Sequence, residues 1–196
     1  MQTPDPIPPR EDARRPGVLK TVALTFLVTT LVWAVFCWPL PRHLSDGITM
    51  SSRNIEKGHA RTMIRGDHLQ LLYHFWLFGD WIRGNSPFSK NVYEFNTGGD
   101  EDRTEAHPYF MPFCFLYAAG EFAAGRAFGW NFTVFMTLWL SYLFTVLLLL
   151  RYTNRSLAAY AAALISMLLP YRWLTLLGGS PTGFAMTCVP LLMLSM

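Results

Sequence analysis

Three long apolar blocks dominate the chain, and each is about as long as a membrane-spanning helix. Residues 18–38, 130–150 and 157–177 consist largely of apolar side chains, and a proline interrupts the third block late. About 20 such residues cross the roughly 30 Å hydrocarbon core of a bilayer. A fourth stretch, 184–196, is too short to cross and reads as the start of another helix. We therefore predict an all-α, multi-pass integral membrane bundle, truncated at the C-terminus because the chain stops within an apolar segment.

The segments between the blocks are polar and differ in character. Residues 1–17 are rich in proline and arginine, which is typical of a disordered tail. Residues 39–129 form a long loop, in which we expect juxtamembrane amphipathic helices at about 67–84 and 107–128. Residues 151–156 form a short basic turn. A loop as long as 39–129 is usually functional.

The distribution of basic residues predicts the orientation. Arginines in the tail and in the 151–156 turn place both in the cytoplasm. The 39–129 loop is then periplasmic or extracellular, and the chain lies in the plasma (inner) membrane. This topology requires that 107–128 does not cross, which Glu121 and Arg126 favour because charges are costly in lipid. A signal peptide is the alternative for 18–38, but no A-x-A cleavage site follows.

Composition supports the membrane interpretation and excludes one class of partner. Hydrophobic residues make up 52% and charged residues 15% of the chain, against roughly 25% charged in soluble domains. The net charge of +3 is modest and forms no basic stripe, so we expect no nucleic-acid partner. The three cysteines are far apart and lie in or beside apolar blocks, so we interpret them as packing residues.

The stretch 66–88 is the richest in residues that can carry chemistry. On one helix, Asp67, Gln70 and His74 share a face at positions i, i+3 and i+7. Asp67 can be a general base or a metal-binding carboxylate, since a base must reach the reacting group by hydrogen bonding. The alternative is that Asp67 caps the helix, Gln70 and His74 are solvated, and the aromatic residues rest on lipid headgroups.

Four further residues are candidates for binding a ligand, each with an alternative. Asp100 and Asp102 lie in an acidic, glycine-rich run, which is either a solvated loop tip or a divalent-cation site built from oxygen ligands. His107 could add a ligand, although the histidines show no short metal-binding spacing. Arg172 either extends to the interface or binds a lipid phosphate through its guanidinium.

Four pieces occur in an order that resembles the start of a GT-C superfamily membrane glycosyltransferase of the bacterial protein-mannosyltransferase-like type. The first is a single N-terminal span followed by a long external loop. The loop carries GDHLQ (66–70) and then GNSPF (84–88). Next come HPY (107–109) with its aromatic helix, and finally the basic turn, an alanine-rich span and PYR (170–172). Tyr109 departs from the proline that the family often has there.

The resemblance implies transfer of a sugar from a polyprenyl-phosphate donor to a glycan, lipid or protein acceptor on the outer face. Asp67 would be the catalytic residue, Gln70, His74, His107 and Arg172 would contact substrate, and Asp100 and Asp102 would hold a divalent cation. Catalytic domains of the family have more spans, so we expect this chain alone to be inactive. The alternative is a non-catalytic membrane protein, such as a transporter or flippase component or an assembly subunit.

Overall fold

The computed structural model describes residues 17–48, 68–87, 93 and 111–196. These residues are largely helical and contain no strand, which agrees with the predicted all-α class. The tail and most of the long loop lie outside the described residues. The helices are α1 (Val18–Phe36), α2 (His68–Ile82), α3 (Met111–Ala124), α4 (Arg126–Tyr152), α5 (Ser156–Leu168), α6 (Pro170–Leu177), α7 (Pro181–Ala185) and α8 (Cys188–Ser195). A short 3-10 turn, Leu40–Arg42, follows α1.

Helix α1 reverses the polarity pattern of a helix in a water-soluble protein. Its buried face carries Thr21, Thr25 and Thr29, one turn apart, whereas leucine, valine and phenylalanine side chains are exposed along it. Small hydroxyl residues at helix contacts and apolar residues outside are typical of helices packed in lipid. Tyr160 donates a hydrogen bond to Thr21, and Trp139 donates one to Thr25, so this face binds α5 and α4.

In the described part of the chain, two helices, α1 and α4, are long and apolar enough to cross a membrane. The 19 residues of α1 span about 29 Å, and the 27 residues of α4 about 40 Å, at 1.5 Å per residue. Helix α4 extends beyond the predicted 130–150 block at both ends. It also lies at the centre of the bundle, packed against α1, α3, α5 and α8.

The predicted third span is two helices with a bend. Helices α5 and α6 meet at Leu169 with a 52° bend, and together they are long and apolar enough to form either one broken span or a re-entrant loop. Pro170 causes the break, because proline lacks the amide hydrogen that would continue the hydrogen bonds of α5. Trp173 Nε1 donates to the carbonyl of Met167 at 2.9 Å, so the indole satisfies one acceptor near the end of α5.

Helices α3 and α4 form a tight hairpin around Gly125. This residue has φ of 91°, a conformation that glycine adopts without a steric penalty. A side-chain carbon on Gly120 would lie 2.9 Å from the Cα atom of Gly129, so the two helices touch backbone to backbone. The 14 residues of α3 cover about 21 Å, which is short of a full crossing of the hydrocarbon core.

An aromatic cluster joins α2 to the rest of the bundle. Phe75 of α2 lies 5.9 Å from Tyr117, 6.0 Å from Trp130 and 5.7 Å from Phe184, measured between ring centroids. All four side chains are completely or almost completely buried. The apolar side of α2 therefore packs on α3, α4 and α7, and its core aromatic residues contact protein.

The segment after α1 is fixed to α4 by one amide side chain. Asn131 donates hydrogen bonds to the backbone carbonyls of Leu44 at 2.9 Å and Gly47 at 2.6 Å. The side chain is buried, so the Asn-Phe-Thr sequence beginning at Asn131 is inaccessible to a glycan-transferring enzyme in the folded chain. The end of α1 and the start of α4 are thus at the same end of the bundle.

Candidate functional site

Arg172 is the most unusual charged residue of the described chain, because its side chain is buried inside the helical bundle. Only 3% of the residue is exposed. Its Nη2 atom donates to Oγ1 of Thr187 at 3.2 Å, and that hydroxyl donates to the carbonyl of Thr137 at 3.1 Å. Its Nε atom is buried without a hydrogen-bond partner among the described residues. The guanidinium therefore points inward and does not extend to an interface.

The bend at Leu169 positions Arg172. Because α6 starts at Pro170, its first turn is free to leave the axis of α5 and turn Arg172 toward the neighbouring helices. Helix α7 then packs closely against α6, since a Cβ atom on Gly183 would lie 2.5 Å from the backbone nitrogen of Leu176. Thr187 follows α7 and brings its hydroxyl to the guanidinium.

No acidic residue within the described ranges forms a salt bridge with Arg172. The salt bridges among the described residues join His43 to Asp46, and Arg83 and Arg126 to Glu121; none involves Arg172. An arginine at the centre of a membrane costs at least about 2.5–3.5 kcal/mol. Guanidinium groups bind carboxylate and phosphate oxygens with two parallel hydrogen bonds. The arrangement is suited to an anionic ligand.

A second polar cluster lies at the end of α2, around the carboxylate of Asp80. Asn85 donates to its Oδ1 atom at 2.9 Å, while Ser86 and Tyr93 donate to its Oδ2 atom at 2.9 and 2.7 Å. Burial raises the pKa of Asp80, but the hydrogen bonds from Tyr93, Asn85 and Ser86 and the nearby Arg83 outweigh burial. The pKa of Asp80 is therefore below the usual value of 3.8.

A third cluster connects α2 to the α3–α4 hairpin. The carboxylate of Glu121 forms salt bridges with Arg83 at 3.2 Å and with Arg126 at 3.7 Å. A Cβ atom on Gly79 would lie 2.6 Å from Oε2 of Glu121, so α2 passes close to this carboxylate. Arg126 also stacks over the ring of Trp76 at 5.2 Å.

The predicted site residues are only partly described. Gln70 is exposed and His74 is half-buried, with its ring 5.8 Å from that of Tyr73. Asp67, His107, Asp100 and Asp102 lie outside the described residues, so the predicted catalytic base and cation site stay predictions. Across the parts of the chain that the structure covers, no group of three histidine, cysteine or acidic residues could hold a metal ion.

The sequence analysis did not predict Asp80 or Glu121, the two acidic residues around which the polar clusters form, as site residues. Asp80 lies within the stretch 66–88, and its partners Asn85 and Ser86 belong to the GNSPF segment. Glu121 was visible as a charge interrupting an apolar segment. Its pairing with Arg83, 38 positions earlier, depends on the packing of α2 on α3. The signal for both residues was a lone acidic side chain within an aromatic helix.

Comparison of the chain with known protein families, curated proteins and solved structures finds no match. The resemblance to GT-C glycosyltransferases therefore depends on the four sequence pieces and their order.

Proposed function

We propose that the chain is embedded in a membrane as part of a glycosyltransferase-like protein that receives a polyprenyl-phosphate sugar and transfers the sugar at the outer face. In this proposal Arg172 holds the donor phosphate. The observation that carries it is the buried guanidinium of Arg172, which has one hydroxyl partner, a free Nε atom and no acidic neighbour among the described residues.

Physical chemistry favours a lipid phosphate over other anions as the partner of Arg172. The residue follows the bend of a segment that is apolar enough to span the bilayer, so a ligand that reaches it must tolerate lipid. A polyprenyl phosphate has a membrane-soluble tail and a charged head. The guanidinium would neutralise that head inside the bundle, beside the bend at Leu169. Asp67 remains the proposed base for the acceptor.

A matched pair of ligands tests the phosphate assignment. The chain in lipid nanodiscs is titrated with a polyprenyl phosphate and with the polyprenol of the same length. A charged hydrogen bond contributes about 1.5–3 kcal/mol, so Arg172→Gln should weaken binding of the phosphate by roughly 10- to 100-fold. Binding of the polyprenol should change little, and Arg172→Lys should retain part of the affinity.

Arg151→Gln is the control, because Arg151 is an exposed arginine in the last turn of α4. It should leave phosphate binding unchanged. Equal affinity of the unsubstituted chain for phosphate and polyprenol would reject the role of Arg172. Phosphate binding that is unaffected by Asp67→Asn, combined with loss of sugar transfer in a complete protein, would support the enzyme.

A second function is favoured by the bend itself. Broken helices with a buried charge are typical of transporters, where they form substrate sites within the membrane. On this reading the protein moves a lipid phosphate and transfers no sugar. Proteoliposomes distinguish the two, since a flippase component moves a labelled polyprenyl-phosphate sugar to the other leaflet and leaves its sugar attached, whereas a transferase moves the sugar to an acceptor.

A further inference from the structure

Three arginines at one end of the bundle each stack on an aromatic ring. Arg42 lies over Trp38 at 4.4 Å, Arg83 over Phe122 at 4.9 Å, and Arg126 over Trp76 at 5.2 Å. Arginine over an aromatic face is stabilised by the ring quadrupole. Tryptophan and arginine are also common at the boundary between lipid and water.

The three pairs lie at the same end of α4. Arg126 is the first residue of α4, and Arg83 shares the carboxylate of Glu121 with it. Asn131, little more than one turn into α4, binds the backbone of Gly47, so the segment that carries Arg42 is attached close by. This end is the one that the sequence predicts to face outward.

In this region the acidic side chains are buried and the arginine side chains are more exposed. The Glu121 side chain is 2% exposed, whereas the side chains of Arg83 and Arg126 are 33% and 70% exposed. Asp80, the other acidic group near Arg83, is also buried and accepts hydrogen bonds from three side chains. Among the described residues of the cluster formed by Arg83, Arg126, Glu121 and Asp80, the exposed side chains are therefore the positively charged ones.

The carboxylate of Glu121 holds the two arginines at the same place on the surface. Both approach the carboxylate of Glu121, so their guanidinium groups are held near each other while their outer edges stay accessible. The helix dipole places partial positive charge at the first turn of α4. No acidic residue and no side-chain cap in that turn offsets this charge. Phe122 and Ile82 are exposed nearby and can contact acyl chains.

From this geometry we infer that Arg83 and Arg126, fixed by Glu121, bind the phosphate headgroup of an anionic phospholipid of the surrounding leaflet. The inference requires that the chain is embedded in a membrane, but it does not depend on a sugar donor. It is also separate from Arg172, whose guanidinium points into the bundle.

The test compares the thermal unfolding of the purified chain in nanodiscs of phosphatidylglycerol and of phosphatidylcholine. For the unsubstituted chain, we expect phosphatidylglycerol to raise the midpoint by on the order of 2–4 °C. Arg126→Gln should abolish most of this difference, and Arg126→Lys should retain part of it. Arg151→Gln, at the opposite end of α4, should leave the difference intact.

Arg126 is the residue of choice because its side chain is 70% exposed, and because Arg83 still pairs with the buried Glu121 when Arg126 is replaced. If every variant shows the same difference between the two lipids, the site does not exist. If inorganic phosphate in phosphatidylcholine nanodiscs stabilises the chain as much as phosphatidylglycerol does, the cluster binds free anions, and the lipid assignment is overturned. Loss of the difference in Arg126→Gln alone establishes the headgroup site.

Discussion

The hydroxyl of Tyr93 donates a 2.7 Å hydrogen bond to Oδ2 of Asp80, which lies 13 residues earlier in the chain. The ring of Tyr93 also lies 5.0 Å from that of Trp76, one turn before Asp80. A hydrogen bond and a ring contact thus hold Tyr93, which follows α2 in the chain, against the end of that helix. Asp80 is the acceptor on which this return depends, because Asn85 and Ser86 donate to the same carboxylate.

Asp80→Asn should destabilise the chain and reduce its sensitivity to acid. An amide presents donor hydrogens to at least one of the three donors, so we expect a loss of about 1–3 kcal/mol in the free energy of unfolding. The folded-state pKa of Asp80 is lowered, so its charge stabilises the fold above the unfolded-state pKa. This contribution is lost as the pH falls below the usual value of 3.8 and through the folded pKa.

Thermal unfolding in detergent over a range of pH measures both effects of Asp80→Asn. Asp46→Asn serves as the control, since the Asp46 side chain is 69% exposed and, within the part of the chain that the structure describes, its salt bridge is to His43. If Asp80→Asn and Asp46→Asn lower the unfolding midpoint equally, the hydrogen bonds from Asn85, Ser86 and Tyr93 to Asp80 do not stabilise the fold.

Gly120→Ala should weaken the α3–α4 hairpin. The added carbon would lie 2.9 Å from the Cα atom of Gly129 and 3.1 Å from Cβ of Phe132, so the helices must move apart. Overpacking of this kind costs about 1–3 kcal/mol, which exceeds the helix-propensity gain of about 1 kcal/mol. Gly17→Ala is the matched control, because nothing lies within 4 Å of its added carbon. Equal unfolding midpoints for the two variants would contradict the close packing.

Thr21→Val and Tyr160→Phe should show energetic coupling across α1 and α5. The Tyr160 hydroxyl donates to Thr21 at 3.0 Å, and hydrogen bonds between membrane helices contribute about 0.6 kcal/mol on average. A double-mutant cycle measures this value. The control cycle pairs Tyr160→Phe with Thr30→Val, because Thr30 bonds to Phe26 of its own helix. Coupling of the same size in both cycles would show that the Thr21 contact is not specific.

The orientation predicts which single cysteines an impermeant maleimide labels on intact cells. In a background lacking Cys37, Cys114 and Cys188, cysteines replacing Asp67 and His107 should be labelled and one replacing Arg151 should not. The reason is that α3 covers only about 21 Å and turns back at Gly125 into α4. Labelling at position 151 would mean that the 107–128 segment crosses the membrane.

The sequence could predict the apolar helices because their signal is local. A run of about 20 apolar residues specifies a long helix whatever surrounds it, which is why the predicted block 18–38 overlaps α1 closely. The break in the third block was also visible, since Pro170 acts on its own backbone. The buried threonines of α1 could not be singled out, because only the position of α4 and α5 decides which face of α1 is covered.

For the candidate sites, too, the sequence identified single residues, and the tertiary structure decided their partners. The sequence by itself identified Arg172 as an arginine near the end of an apolar block. Only the tertiary structure decided that its guanidinium turns inward to Thr187 and has no acidic neighbour among the described residues. The Glu121 cluster likewise required α2 to pack on α3, which brings Arg83 to that carboxylate. Hydropathy is a property of consecutive residues, whereas burial and pairing depend on segments that are distant in sequence and meet only in the folded chain.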